Sequence, residues 1–441
     1  MKQLRKTIII FCWLLVWAFA SRIIQNKILL AGPVETLQAL GRLVITENFW
    51  MACGGTILRI AIGYLAGMLL GILLAALSAR RVWIEEILAP VITLMKAVPV
   101  ASVVVIFLIW WGSGNLAVAI SFFMALPNFY LNTLEGIRST DEKKLEMAKV
   151  FALPTRNQFF YIYRPALRPF WDSAIKLSVG MSWKAGVAAE VIGLPQKAIG
   201  EQLYMSKIYL ETDKVFAWTL VIILLSQLFE KLCLKLWVAF QAWEPGCKHV
   251  SYGETRLNSS LQLHQISVSY GEQQVLQDFS ATYEQDNLYV LDSPSGSGKT
   301  TLLRVIAGLT EPDAGKVETG GQKVAMLFQE DRLCEEYSAL KNVELVAISR
   351  SVAREHLLQL LKEEDIHKSC KDLSGGMKRR VALARAFASG ASIVLLDEPY
   401  NGLDEENRMR VARYIEENGE NRVVIMASHI QQEIKEEGKR E

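Results

Sequence analysis

A chain of 441 residues that is 51% hydrophobic yet 21% charged is too apolar for an ordinary soluble protein and too charged for a membrane bundle throughout. A formal net charge of +2 gives no sign of a nucleic-acid partner, and six scattered cysteines show neither metal-ligand nor disulfide-framework spacing. The apolar runs crowd into roughly the first 240 residues, so two bodies with different solvents are expected. These are an all-α polytopic membrane domain over 1–240 and a charge-rich domain over 257–441, joined by a linker at 241–256 that contains Pro245, Gly246 and Gly253.

Lys2, Arg5 and Lys6 lead an apolar core closed by Ala18-Phe19-Ala20, the form of a signal peptide. The apolar run continues to Ile24 and further spans follow, so the segment reads as a retained first membrane helix. Six spans are expected near 7–25, 54–78, 87–110, 115–134, 171–192 and 215–239, with 28–51 as an interfacial helix or external loop. Most loop lysines and arginines, from Arg80-Arg81 to the cluster Arg138–Arg168, fall on the side of the N-terminus. The positive-inside rule then puts that terminus in the cytosol, and six crossings return the second half there. Lys184 stands mid-span, where a charge is costly and faces a cavity or a partner. Two readings stay open for it: lining a path for an anionic solute, or pairing with Glu190 or reaching the interface.

From Leu257 the pattern becomes α/β, with Leu261, Leu263, Ile266 and Val268 alternating as in a half-buried strand. The apolar strand Leu288–Leu291 enters Ser293-Pro294-Ser295-Gly296-Ser297-Gly298-Lys299-Thr300-Thr301, and an amphipathic helix leaves it. Strand, glycine-rich loop and helix make a phosphate cradle: backbone N–H groups close on phosphate oxygens, Lys299 reaches the β- and γ-phosphates, and Thr300 holds Mg²⁺. Ser293 replaces the usual first glycine, so a positive φ there would cost about 1 kcal/mol. Farther on, Ile393-Val394-Leu395-Leu396-Asp397-Glu398-Pro399 is an apolar strand ending in two carboxylates. It would deliver Asp397 to Mg²⁺ and Glu398 to a water in line with the γ-phosphate.

Leu373-Ser374-Gly375-Gly376-Met377, with the phosphate loop and this strand, resembles the ABC ATPase family from about Leu257 to His429. The resemblance implies a P-loop α/β fold that binds and hydrolyses ATP with Mg²⁺. It implies that Gln329 serves the metal and the hydrolytic water, that His429 contacts the γ-phosphate, and that Tyr270 stacks on adenine. Asp404 falls in the family's D-loop, and Ser374, Gly375 and Gly376 act on a nucleotide held by a second subunit. Met377 replaces the family's usual Gln.

Glu146-Met147-Ala148-Lys149-Val150-Phe151-Ala152, followed by Ile162-Tyr163-Arg164-Pro165, resembles the EAA motif of bacterial ABC importer permeases. That segment is a helix-turn-helix docking on the ATPase, which gives Glu146, Ala152 and Pro165 a coupling role. Ala152 replaces the family's glycine, which bears on how sharply the segment turns. Lys96-Ala97-Val98-Pro99, Trp110–Gly114, Asn132–Ser139 and Ala188-Ala189-Glu190 are similar to the nitrate/sulfonate/taurine branch. The resemblances imply a fused half-importer in the bacterial plasma membrane, fed by a separate extracytoplasmic solute-binding protein and working as a homodimer, the simplest closure, with pairing to a related second half left open. An exporter half-transporter and an ATP-gated membrane regulator are the alternatives.

Overall fold

The computed structural model describes residues 2–24, 26, 28–247, 260–294 and 296–428. It divides into two compact units: Met1–Ser139 with Ala166–Trp243, and Thr140–Pro165 with the chain from Glu244 on.

The first unit is helical: α1 (Lys2–Ile24), α2 (Pro33–Val44), α3 (Glu47–Arg80), α4 (Val82–Ala97) and α5 (Val100–Arg138). After the inserted segment come α8 (Arg164–Gly193), α9 (Ile199–Ile208) and α10 (Thr212–Ala242). Among the described residues three helices, α3, α5 and α10, are long and apolar enough to cross a membrane. The other three expected spans differ for local reasons. The first lies within α1. The one expected at 87–110 is not a single helix, because Val98-Pro99 is extended between α4 and α5. Proline has no N–H to donate to the ladder and pushes the preceding residue toward extended backbone. The one at 171–192 lies in α8, where Asp172, Lys176, Lys184 and Glu190 interrupt the apolar run.

Gly63, Gly67 and Gly71 make a stripe along α3 on which α5 lies backbone to backbone. A Cβ added at these positions would sit 2.1 Å from the Val118 carbonyl oxygen, 2.8 Å from that of Phe122 and 2.7 Å from that of Leu126. Small residues at four-residue spacing permit this approach, which suits lipid, where dispersion and close packing replace the hydrophobic effect. The paired positions rise together, so α3 and this part of α5 run parallel. Hence the chain between them, α4 and residues 100–111 of α5 up to a bend at Gly112 (φ +71°, ψ 177°), must return along their length. Sixteen residues of α4 reach about 24 Å, so neither short helix alone crosses about 30 Å of hydrocarbon.

A buried ion pair joins α3 to α8 inside this unit. Glu190, fully buried, accepts from the Thr56 hydroxyl (2.7 Å), Arg59 (3.3 Å) and the Gly200 N–H (3.3 Å). Its partner is therefore Arg59 and not Lys184, which corrects one of the two sequence readings. Lys184 itself is exposed on α8.

The second unit holds the inserted segment: α6 (Glu142–Val150), α7 (Thr155–Gln158) and a π-helical turn Phe159–Tyr163. Its strands are β1 (Leu261–Tyr270), β2 (Gln273–Tyr283), β3 (Asn287–Leu291), β4 (Ala314–Glu318), β5 (Val324–Leu327), β6 (Ile393–Asp397) and β7 (Val423–Ala427). Its later helices are α11 (Lys299–Ile306), α12 (Ala339–Glu344), α13 (Arg350–Leu360), α14 (Glu363–Ile366), α15 (Gly375–Ala388) and α16 (Glu405–Asn418). An antiparallel sheet runs β2-β1-β4 and a parallel one β3-β7-β6-β5. All five residues of β6 and of β7 are buried, as expected of strands covered on both faces of a parallel sheet. The expected linker begins inside α10, which runs on to Ala242, and its residues 248–256 lie outside the described residues.

Candidate functional site

The loop between β3 and α11 turns at Gly298, whose φ of +89° places it in the left-handed region. A Cβ there would meet Val275 Cγ1 at 2.9 Å and the Val275 carbonyl at 3.0 Å, so backbone conformation and space both demand glycine. Ser293 does not adopt a positive φ, and the cost expected for replacing its glycine does not arise. Its carbonyl instead accepts from the Lys299 ammonium, which folds back on its own loop. Ser295 lies outside the described residues, as does His429.

Parallel pairing of β6 between β5 and β7 carries Asp397 to the carboxyl end of the sheet, opposite the start of α11. The Thr300 hydroxyl donates to Asp397 Oδ1 at 3.2 Å. Oδ2 is buried without a hydrogen-bond partner among the described residues, and burial raises the Asp397 pKa. An unpaired buried carboxylate oxygen beside a hydroxyl is a donor set that fits a hard divalent cation. Among the described residues no cluster of three His, Cys, Asp or Glu could hold a metal unaided.

Glu398 follows at φ +52°, a strained conformation for a non-glycine residue, and its N–H donates to the Ala427 carbonyl at 2.9 Å. Gly296, Gly298, Lys299, Thr300, Thr301, Gln329, Asp397 and Glu398 come together around a cavity of about 320 Å³, with Val275 as the one lining residue the sequence did not single out.

The remaining expected residues lie elsewhere. Ser297 donates its N–H to the Pro294 carbonyl within the loop. Tyr270 ends β1 with its ring exposed and does not line the cavity. Ser374 is the N-cap of α15, accepting from the Met377 N–H at 3.3 Å, with Gly375 and Gly376 in the first turn. Asp404 caps α16, accepting from the Asn407 N–H at 2.9 Å and holding its side-chain amide. Both caps satisfy N–H groups that a helix start leaves open.

The inserted segment packs on this unit. Met147 and Ala148 are buried in its core, and Glu146 is held twice. Arg304 of α11 donates to both its oxygens, at 2.6 and 3.1 Å, and Arg332 donates at 2.6 Å. The hydrogen bonds from Arg304 are the main cause of a Glu146 pKa lowered to about 2. Ala152 stands at φ +46° just past α6, and Leu153 N–H reaches back to the Ala148 carbonyl at 2.9 Å. This is a left-handed helix stop, so the turn is as sharp as a glycine would make it, at a steric cost. In the π-turn, Tyr161 donates to the Pro245 carbonyl, and Arg164, next to Pro165, donates to the Tyr337 hydroxyl at 3.1 Å.

Sequence reasoning passed over Arg379. It lies on α15 with Ala382 and Ala386 three and seven residues on, so a basic residue on an apolar helical face was the available signal.

Residues 67–231 match the family described as binding-protein-dependent transport system inner membrane component, and residues 276–401 the family described as ABC transporter. Over 180 residues the chain is 38% identical to the aliphatic sulfonates import ATP-binding protein SsuB 1 of Rhodococcus jostii, covering 38% of this chain and 72% of that protein. It is 34% identical to the sulfate/thiosulfate import ATP-binding protein CysA of Photorhabdus laumondii, over 40% of this chain and 56% of the relative. It is 37% identical to the taurine import ATP-binding protein TauB of Pseudomonas fluorescens, over 34% of this chain and 62% of the relative. For the last two the chain spans less than two thirds of the relative's length. A solved bacterial ABC transporter cassette aligns over 38% of this chain and 88% of its own at 28% identity, with a TM-score of 0.36.

Proposed function

From the premise that this chain belongs to the ABC transporter family and joins an importer-type permease segment to an ABC ATPase segment, we propose that it is one half of an ATP-driven importer. The solute is small, and a separate extracytoplasmic binding protein delivers it. Two copies close head to tail, because the signature residues Ser374, Gly375 and Gly376 stand apart from the phosphate cavity of their own chain. Each set then completes the partner copy's nucleotide site. The N-terminus and the ATPase segment lie in the cytosol of a bacterial cell, where ATP is available.

At the nucleotide, Lys299 exchanges the Ser293 carbonyl for phosphate oxygens, and the N–H groups at the start of α11 hold the remainder. Tyr270 stacks on the adenine, and Ser295, Ser297 and Thr301 complete the cradle. Thr300, Gln329 and the free oxygen of Asp397 would hold Mg²⁺, which when bound offsets phosphate charge. Glu398 orients the attacking water and takes its proton, with His429 on the γ-phosphate and Asp404 at the contact between copies.

The observation that carries the reading is the double grip on Glu146. One carboxylate of the EAA-like segment is held by Arg304, on the helix that follows the phosphate loop, and by Arg332, three residues past Gln329. A shift at either end of the cavity therefore moves Glu146, and the segment continues covalently into α5 at Ser139 and into α8 at Pro165. In proteoliposomes, a solute-loaded binding protein should stimulate ATP hydrolysis. Hydrolysis indifferent to every binding protein offered would favour an exporter or a regulator. For the solute, exposed Lys184 on α8 supports an anion. Lys184→Met should then weaken uptake of an anionic substrate, and unchanged uptake would remove it from the path.

A further inference from the structure

Arg379 is buried, yet both terminal nitrogens of its guanidinium donate to the backbone around the cavity. One terminal nitrogen donates to the Phe328 carbonyl at 2.6 Å, the Gln329 carbonyl at 3.3 Å and the Asp331 carboxylate at 3.1 Å. The other donates to the carbonyls of Asp397 and, at 2.8 Å, Glu398. A single side chain thus joins the carboxyl ends of β5 and β6 to the helix that begins at Ser374. From this geometry we infer that Arg379 is a positioning residue for hydrolysis, holding the backbones of Gln329 and Glu398 so that both side chains face the γ-phosphate.

Three observations give the assignment its physical content. Glu398 sits at φ +52°, a conformation that persists only where neighbours over-determine it. Its N–H is fixed by Ala427 and its carbonyl by Arg379, so the strained residue is pinned from both sides. A planar guanidinium can serve several acceptors in one plane, whereas Gln has one amide nitrogen and Lys only a point charge. Lastly, Arg385 on the same helix donates to the carbonyls of Asp331 (2.8 Å) and Arg332 (2.9 Å). Residues 328–332 are therefore gripped at both ends by α15, and displacement of the signature helix carries Gln329 and Glu398 with it. The acceptors of Arg379 all lie at residues 328–331 and 397–398, outside the phosphate loop, whose Thr300 hydroxyl meets Asp397 only through its carboxylate, so turnover should suffer more than nucleotide binding.

The inference rests on the ATPase reading above, and its test keeps the two apart. ATP affinity and steady-state hydrolysis are measured on the full chain in lipid for the native protein, Arg379→Lys and Arg379→Gln. Absence of hydrolysis by the native protein would sink the ATPase reading itself. With the native protein active, Arg379→Lys should lose about 10- to 100-fold in kcat, the scale of a displacement near 1 Å, with ATP affinity within about threefold. Arg379→Gln should lose more. Two results overturn the assignment: kcat of Arg379→Lys within threefold of native, or kcat and ATP affinity falling together as they would for a merely structural residue. If Arg379→Gln fails to fold, Arg379→Lys, which keeps charge and bulk, decides alone by the same criteria.

Discussion

Arg304 meets Glu146 with two nitrogens on two oxygens, at 2.6 and 3.1 Å, across 158 residues of sequence. A bidentate guanidinium–carboxylate pair fixes orientation as well as distance. Both side chains remain partly open to water, so the pair adds little to stability and most to the direction in which force passes.

Glu146→Gln should therefore separate hydrolysis from transport. Basal ATPase stays within about threefold, while stimulation by a loaded binding protein falls by about 5- to 150-fold, the usual range of a coupling free energy. Proteoliposome assays with and without the binding protein read both. The ion pair persists at neutral pH: with a pKa lowered to about 2, its contribution is complete above pH 4.5 and lost only as pH falls through about 2.

Ala152→Gly should stabilise the protein. Relief of a left-handed alanine gains about 1–2 kcal/mol, and the greater freedom of glycine in the unfolded chain returns about 0.4–1 kcal/mol of that. A net gain near 0.5–1 kcal/mol would appear as a raised midpoint in denaturant unfolding. A lowered midpoint would mean that the Ala152 methyl packs usefully.

Glu398→Gln should retain nucleotide binding and lose hydrolysis by about 100- to 10,000-fold, the contribution of a positioned general base. Gln keeps the shape, so the backbone pinned by Ala427 and Arg379 is undisturbed. Single-turnover hydrolysis with a parallel binding measurement makes the comparison, and near-normal turnover removes Glu398 from the role.

His356 on α13 contacts the Tyr414 hydroxyl at 2.7 Å, and burial, with the nearby Arg422 charge, lowers its pKa to about 4. Between pH 6.5 and about 4 the unfolded chain binds a proton that the folded one refuses. Stability is complete above pH 6.5 and falls by up to about 3 kcal/mol on acidification through that window. His356→Gln should flatten this stretch of a melting-temperature profile, and an unchanged slope would exclude His356 as its source.

Wherever function is written in contiguous backbone, the order of residues alone makes it legible. Glycines before Lys299, an apolar run ending at Asp397 and a Ser–Gly–Gly helix start are local devices, because loop conformation, strand burial and helix capping depend on neighbours in sequence. Seven of the residues so identified line one cavity, joined there by Gln329, which only the family resemblance implied. The tertiary structure alone decided which charges meet: Glu146 with Arg304 and Arg332, Glu190 with Arg59 rather than Lys184, and Arg379 with carbonyls 18 to 51 residues away. It also decided that α3 and α5 run parallel on a glycine stripe, with a broken return between them. Composition and periodicity mark a charge or a small residue, but its partner depends on which distant segment the packed chain brings within about 3 Å, and no local pattern carries that distance.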